Sequence, residues 1–338
     1  MTSSEWRSRL LLCVASIVFC AVMLEGALRV SGYDLARPED ASGTGVNQPD
    51  ERLGWVPKPG TRILPARSAG ETAGAPKETV QTVLNDGRRS TGAPVRGTDN
   101  GIYLLGCSYT YGYGLSDDET FGWKLQRKLK RPVYNFGVPG YGTYQAFLRL
   151  EDALSQSATK PRYVIYGFGA FHADRNVPTL HWMRRLYQGG AYYPPIPYAT
   201  LRPDGSLARH PPLHEAIDPL PFDSRLAVLV KETSMRLGAG WRSRQKTRTT
   251  VAIVRAMARL THDSGAEFVV VNLAAGSDSA DYATAFREAG ARYVDCGSAL
   301  SSSQYRLARR DLHPNPAANT IFAKCLTDFI LSLEGRRS

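Results

Sequence analysis

Residues 101–121 read GIYLLGCSYTYGYGLSDDETF. The stretch opens as a short apolar run, the pattern of a strand buried on both faces, and then breaks into small and polar residues around Ser108. Gly112 and Gly114 follow at once. An ordinary strand-to-helix turn has this composition, and so does a strand that presents a nucleophile. The residues on either side separate the two readings.

From Gly101 onward, strand-like and helix-like segments alternate. IYLLG is followed by DETFGWKLQRKLK, a predicted helix whose acidic start and basic finish complement its dipole. PVYNF and RYVIYGF read as the next strands, with a helix over TYQAFLRLEDALSQ between them. Further on, TRTTVAIVRAMARLTHDSG predicts a helix ending at Gly265 and AEFVVVNL a central strand. YATAFREAG and RYVDC repeat the helix–strand unit, and PNPAANTIFAKCLTDFILSL closes as a helix. Such alternation implies an α/β domain with a mostly parallel sheet covered on both faces. The segment from about 171 to 244 carries YYPPIPY and PPLHEAIDPLPF and reads as an insertion shaping one side of a site, or as a small lid.

Upstream the chain has a different character. After Arg7 and Arg9 comes LLLCVASIVFCAVML, an uncharged run from Leu10 to Leu24, and the apolar character extends to Val30. Residues 1–30 are therefore expected to form a transmembrane signal anchor, with a cleaved secretory leader as the competing reading. Arg7 and Arg9 are nearly matched by Arg29 and Arg37, so the basic residues do not set the orientation. Residues 31–100 are expected to form an extended arm. In it GWVPKPG favours extended structure, and TVQTVLNDGRRS a short strand turning at Asp86-Gly87.

Across 338 residues the formal net charge is +11, which suits an acidic polymer or a lipid surface as well as a solvated basic face. No Lys/Arg run is interleaved with aromatics, so nucleic acid is not an expected partner. Of five cysteines, Cys107, Cys296 and Cys325 lie in the soluble part, too widely spaced for a zinc site or a disulfide framework. A Cys296–Cys325 bridge is allowed but not demanded. Cys107 is expected to be buried and inert.

In an open parallel sheet, ligands meet the loops at the carboxyl ends of the strands. Those loops carry GCSYTYGYG with Ser108, GVPGYGTYQ with Gly137, Gly140 and Gly142, GFGAFHADRN, and RRDLHPNPAAN with Asp311 and His313. A serine hydroxyl needs a base within hydrogen-bond reach, a role His313 can fill, and Asp311 is close enough in sequence to orient its ring. Backbone N–H groups of Ser108 and Gly140 are candidate oxyanion donors. Tyr109, Tyr111, Tyr113 and Tyr141 read as pocket walls and packing, with a sugar face as a possible stacking partner.

These blocks resemble the SGNH (GDSL-like) hydrolase superfamily, in particular membrane-anchored bacterial members associated with cell-envelope polysaccharides. The likeness covers roughly residues 100 to 330, with GWVPKPG and NDGRRS also typical upstream. It implies a flavodoxin-like three-layer α/β/α sandwich and acyl-ester hydrolysis or O-acyl transfer through an acyl-serine, with no cofactor. Ser108 would be nucleophile and oxyanion donor, Gly140 a second donor, His313 the base and Asp311 its partner. Three departures stand out. Cys107 replaces the usual aspartate before the serine, and one residue rather than two separates Asp311 from His313. Gly169 stands where an oxyanion asparagine is expected, leaving His172 or Asn176 as substitutes. The implied setting is a single-pass cytoplasmic-membrane protein with an extracytoplasmic domain (periplasmic in a Gram-negative cell). Its partners would be an acylated glycan or another small acyl ester, the membrane, and envelope-polysaccharide biosynthesis proteins. A different class also fits: a catalytically inactive glycan-binding or assembly protein on the same fold. A phosphate- or flavin-binding protein fits less well, since the first loop lacks the P-loop lysine.

Overall fold

The computed structural model describes residues 3–32, 47–63, 79–95, 101–156, 160–177, 179, 182, 196–212, 224–276, 280–308 and 311–335. α1 (Ser3–Val30) is the one helix among these residues long and apolar enough to cross a membrane, over Trp6–Val30, and it buries none of that span in the protein. In the arm, β1 (Asn47–Asp50) pairs antiparallel with β2 (Gly54–Pro57), and β3 (Arg62–Ile63) with β4 (Gln81–Thr82). Asp86-Gly87 makes the expected turn, with the Gly87 N–H donating to the Leu84 carbonyl.

The body begins with β5 (Gly101–Gly106), α2 (Ser108–Tyr111), α3 (Phe121–Leu129), β6 (Val133–Asn135), α4 (Thr143–Gln156) and β7 (Pro161–Phe168). α5 (His172–Asn176) and an antiparallel hairpin of β8 (Tyr198–Leu201) and β9 (Leu207–His210) follow. Then come α6 (Arg225–Asp263), β10 (Glu267–Asn272), α7 (Ala280–Glu288), β11 (Arg292–Asp295) and α8 (Pro316–Gly335). The central sheet runs β11-β10-β7-β5-β6, every pair parallel. This is the flavodoxin-like order. The chain starts at β5, adds β6 on one side, and then reverses to build outward through β7, β10 and β11.

Side-chain alternation assigns the two outer layers. Tyr103 and Leu105 of β5 join a cluster with α4, α6 and α7 through Leu150, Met257 and Phe286. Ile102 and Leu104 face the other way, onto Phe121 and Leu125 of α3 and Phe322 and Leu326 of α8. The result is the expected three-layer α/β/α sandwich. Cys296, just past β11, and Cys325, on α8, form a disulfide, so the optional bridge is made.

The 171–244 segment is only partly an insertion. Its last twenty residues are the start of α6, which begins at Arg225 rather than near Thr247. Gly238 and Gly240 interrupt the helical signal there. The helix nevertheless starts firmly, because Ser224 Oγ accepts from Ala227 N and the Glu25 carboxylate of α1 accepts from Arg225 N and Leu226 N at 3.1 and 2.7 Å. Most of YYPPIPY and PPLHEAIDPLPF lies outside the described residues.

The arm is anchored to the body by a buried charge. Arg89 is fully buried: it pairs with Asp117, donates to the Leu115 carbonyl at 3.1 Å, and lies over the Tyr111 ring at 5.2 Å. Replacing Arg89 with Met should therefore destabilise the protein by about 3 kcal/mol, since it strands the Asp117 carboxylate. The double change with Asp117→Leu should recover part of that loss. Guanidinium unfolding of the single and double variants checks both.

Candidate active site

Ser108 stands at the first position of α2, directly above the point where the sheet order reverses between β5 and β7. Cys107 caps this short helix through its sulfur, which accepts from Tyr109 N, and Gly112 ends it in the left-handed region. The turn into α2 is tight. Gly106 has φ +149°, and a Cβ there would meet Thr110 Oγ1 at 2.3 Å and the Gly167 carbonyl at 2.8 Å. From β6, Asn135 Nδ2 donates to the Thr110 carbonyl at 2.8 Å and ties α2 to the sheet.

The last block closes over this turn. His313 Nε2 lies 2.9 Å from Ser108 Oγ, and Nδ1 lies 2.6 Å from Asp311 Oδ1. The one-residue spacing suits this geometry. Asp311 Oδ1 also accepts the His313 backbone N–H at 3.0 Å, so one oxygen fixes both the loop and the ring. Those bonds hold the Asp311 carboxyl below the usual carboxylate range. Two further contacts lock the loop: Tyr109 OH donates to the Leu312 carbonyl at 2.9 Å, and Leu307 N donates to the His313 carbonyl at 2.9 Å. Asn315 then caps α8 by accepting from Ala317 N and Ala318 N at 3.1 Å each, with Pro316 at the first helical position.

The Gly140 loop follows β6 and packs on α2. Val138 N donates to the Gly106 carbonyl at 3.1 Å, and a Cβ at Gly137 would lie 2.6 Å from Tyr111 N. Gly140 itself has φ +88°, with the Trp55 indole 2.9 Å from where its Cβ would be. Trp55 Nε1 donates to the Pro139 carbonyl at 2.8 Å, while Tyr141 OH donates back to the Trp55 carbonyl. Neither the Ser108 nor the Gly140 N–H donates to a protein acceptor among the described residues. Both remain available.

The third block is arranged differently. A Cβ on Gly169 would stand 2.5 Å from the Phe171 ring, so the ring occupies the place of the side chain that the resemblance expects there. Asn176 is committed to the scaffold: it donates to Thr143 Oγ1 and Thr250 Oγ1 at 3.0 and 2.8 Å and accepts from Tyr144 N at 2.9 Å. His172 makes no hydrogen bond to Ser108 among the described residues. It is fully buried, its Nδ1 is 2.7 Å from Tyr166 OH, its Nε2 has no hydrogen-bond partner, and burial holds its pKa well below the ordinary value.

Of the tyrosines, Tyr111 and Tyr141 are buried packing. Tyr109 and Tyr113 flank the His313 ring with centroids at 5.6 and 4.8 Å, and Tyr113 is 38% exposed. Cys107 is buried as expected. Sequence reasoning missed Asn135, Trp55 and Arg89. An asparagine at the end of the strand was the one local sign of Asn135; Trp55 and Arg89 act across long sequence separations and leave none.

A model of the GDSL-like lipase/acylhydrolase family matches residues 104–321. Among solved structures, the chain is similar to the crystal structure of TesA at 13% identity and TM-score 0.42, covering 67% of this chain and 96% of that one. It is similar to the psychrotrophic esterase EstA from Pseudoalteromonas sp. at 14% identity and TM-score 0.42, covering 70% and 99%. It is also similar to the acetyl xylan esterase Est2A from the rumen bacterium Butyrivibrio proteoclasticus at 12% identity and TM-score 0.41, covering 72% and 66%. No curated protein matches the chain.

The short Nδ1–Oδ1 contact predicts a proton resonance far downfield of the amide envelope. It should vanish in His313→Ala and in Asp311→Ala, and persist in Ser108→Ala. Proton NMR of the three variants checks the assignment.

Proposed function

The chain belongs to the GDSL-like lipase/acylhydrolase family, and from that premise we propose that it is a serine esterase or O-acyltransferase with Ser108 as nucleophile. The observation that carries this reading is the unbroken hydrogen-bonded chain from Ser108 Oγ through His313 to Asp311. His313 Nε2 takes the hydroxyl proton as Oγ attacks the acyl carbon, and Asp311 steadies the imidazolium that forms. The carbonyl oxygen gains negative charge and is met by the Ser108 and Gly140 N–H groups. His313 then returns the proton to the leaving alkoxide, and an acyl-serine remains. Water or a sugar hydroxyl, deprotonated by the same histidine, releases the acyl group. With Phe171 filling the third-donor position, the reading runs on two backbone donors.

We read the ester as one carried by a glycan of the cell envelope. The exposed Tyr113 ring beside His313 offers a face for a sugar. The Cys296–Cys325 disulfide favours an oxidising compartment outside the cytoplasm. The Glu25 cap on α6 favours a retained anchor, because cleavage after α1 would remove the acceptor for two backbone N–H groups. On this reading α1 spans the membrane and the body lies outside it.

A fluorophosphonate probe tests the proposal on the full chain in detergent micelles. One adduct is expected by intact mass, and none in Ser108→Ala. His313→Ala should slow labelling and ester turnover by roughly 10²–10⁴-fold, the usual contribution of a positioned base. Absence of an adduct on folded protein would overturn the esterase reading in favour of an inactive glycan-binding protein.

A further inference from the structure

Away from the serine, a cavity of about 240 Å³ opens between the arm turn at Asp86–Arg88, the edge strand β6, and α4. Tyr103, Tyr134 and Phe136 line its inner wall, and two arginines lie over these rings. Arg88 stands 4.5 Å from the Tyr134 centroid and Arg149 stands 5.5 Å from that of Phe136. Stacking on aromatic faces orients a guanidinium and leaves its N–H edge free for an anion.

The two arginines differ in one decisive respect. Arg88 is paired with Asp86, its Nε donating to Oδ2 at 2.7 Å. Arg149 has no hydrogen bond or ion pair among the described residues, and its Nε is buried without an acceptor; Asp86 and Asp152 act on it only through longer-range attraction. A cation whose donor is removed from water and left unpaired is unfavourable until an acceptor arrives. Asp86, Arg88 and Arg149 together leave the lining with one positive charge in excess. The planar fork of Arg149 matches a carboxylate, and the volume lies below the usual range for drug-sized ligands.

We propose that this pocket is an anion site that binds one carboxylate, held by Arg149 and backed by Arg88. A ring carboxylate of an acidic sugar and a free organic acid share that chemistry. The site is separate from Ser108, so it stands or falls independently of the esterase reading.

The test uses the full chain carrying Ser108→Ala in detergent micelles, with saturation-transfer NMR on glucuronate, acetate and glucose, and inorganic phosphate added as a competitor of the observed carboxylate. A saturable response to carboxylate, absent for glucose and weakened by salt, is expected. Glucuronate well ahead of acetate identifies a sugar acid as the source, and equal responses identify free acids. Arg149→Gln should bind about tenfold more weakly. Gln156→Glu, which adds a negative charge at the exposed rim without touching the core, should weaken binding likewise. No saturable response, an equal response to glucose, tighter binding of phosphate, or unchanged affinity in both variants would overturn the proposal.

Discussion

The backbone leaving β5 has almost no room. Thr110 Oγ1 and the Gly167 carbonyl crowd position 106 so closely that any side chain there would collide with them. The chain therefore turns at once into α2, and Ser108 comes out at the mouth of the sheet rather than along its face. Other parts of the site build on that forced turn. Asn135 fastens α2 from the neighbouring strand, Tyr109 holds the histidine loop, and the Gly140 loop leans on the same helix. A longer or looser connection would leave the hydroxyl free to sample positions out of reach of His313.

The arm contributes to this precision although it stands before the matched domain. Trp55 fills the concavity against Gly140 and fixes the Pro139 carbonyl, which sets the direction of the next N–H. Arg89 fastens the stretch after α2 through Leu115 and Asp117. Gln145 at the start of α4 donates to the Leu53 carbonyl at 2.9 Å, so the arm also reaches the helix behind the Gly140 loop. Preorganised donors are effective because their reorganisation is completed during folding. Here Leu53, Trp55 and Arg89, all upstream of β5, help to set the geometry of the Gly140 loop, of α4 and of the stretch after α2.

Much of this was legible from local pattern. Apolar runs alternating with helical segments located β5, β6 and β7; the Ser108 and Gly140 blocks follow β5 and β6, and the Asp311–His313 block lies just before α8. Local pattern was less informative where partners are distant. Nothing around Asn176 says that its three hydrogen bonds are spent on α4 and α6, and nothing around Gly169 says that Phe171 folds back over it. The early start of α6 was hidden by two glycines and is supported by a cap that comes from α1, about two hundred residues away. Helix propensity cannot register a partner so remote.

The Ser108–His313 bond joins residues 205 positions apart, and the Tyr109–Leu312 bond joins residues 203 apart. Contacts of such sequence separation carry a loop-closure cost that neighbouring residues do not face. The histidine loop leads directly into α8, so the Ser108–His313–Asp311 alignment is complete only in a chain folded through its last helix. The hydrogen-bonded line from Ser108 to Asp311 thus reports on the seating of the C-terminal helix.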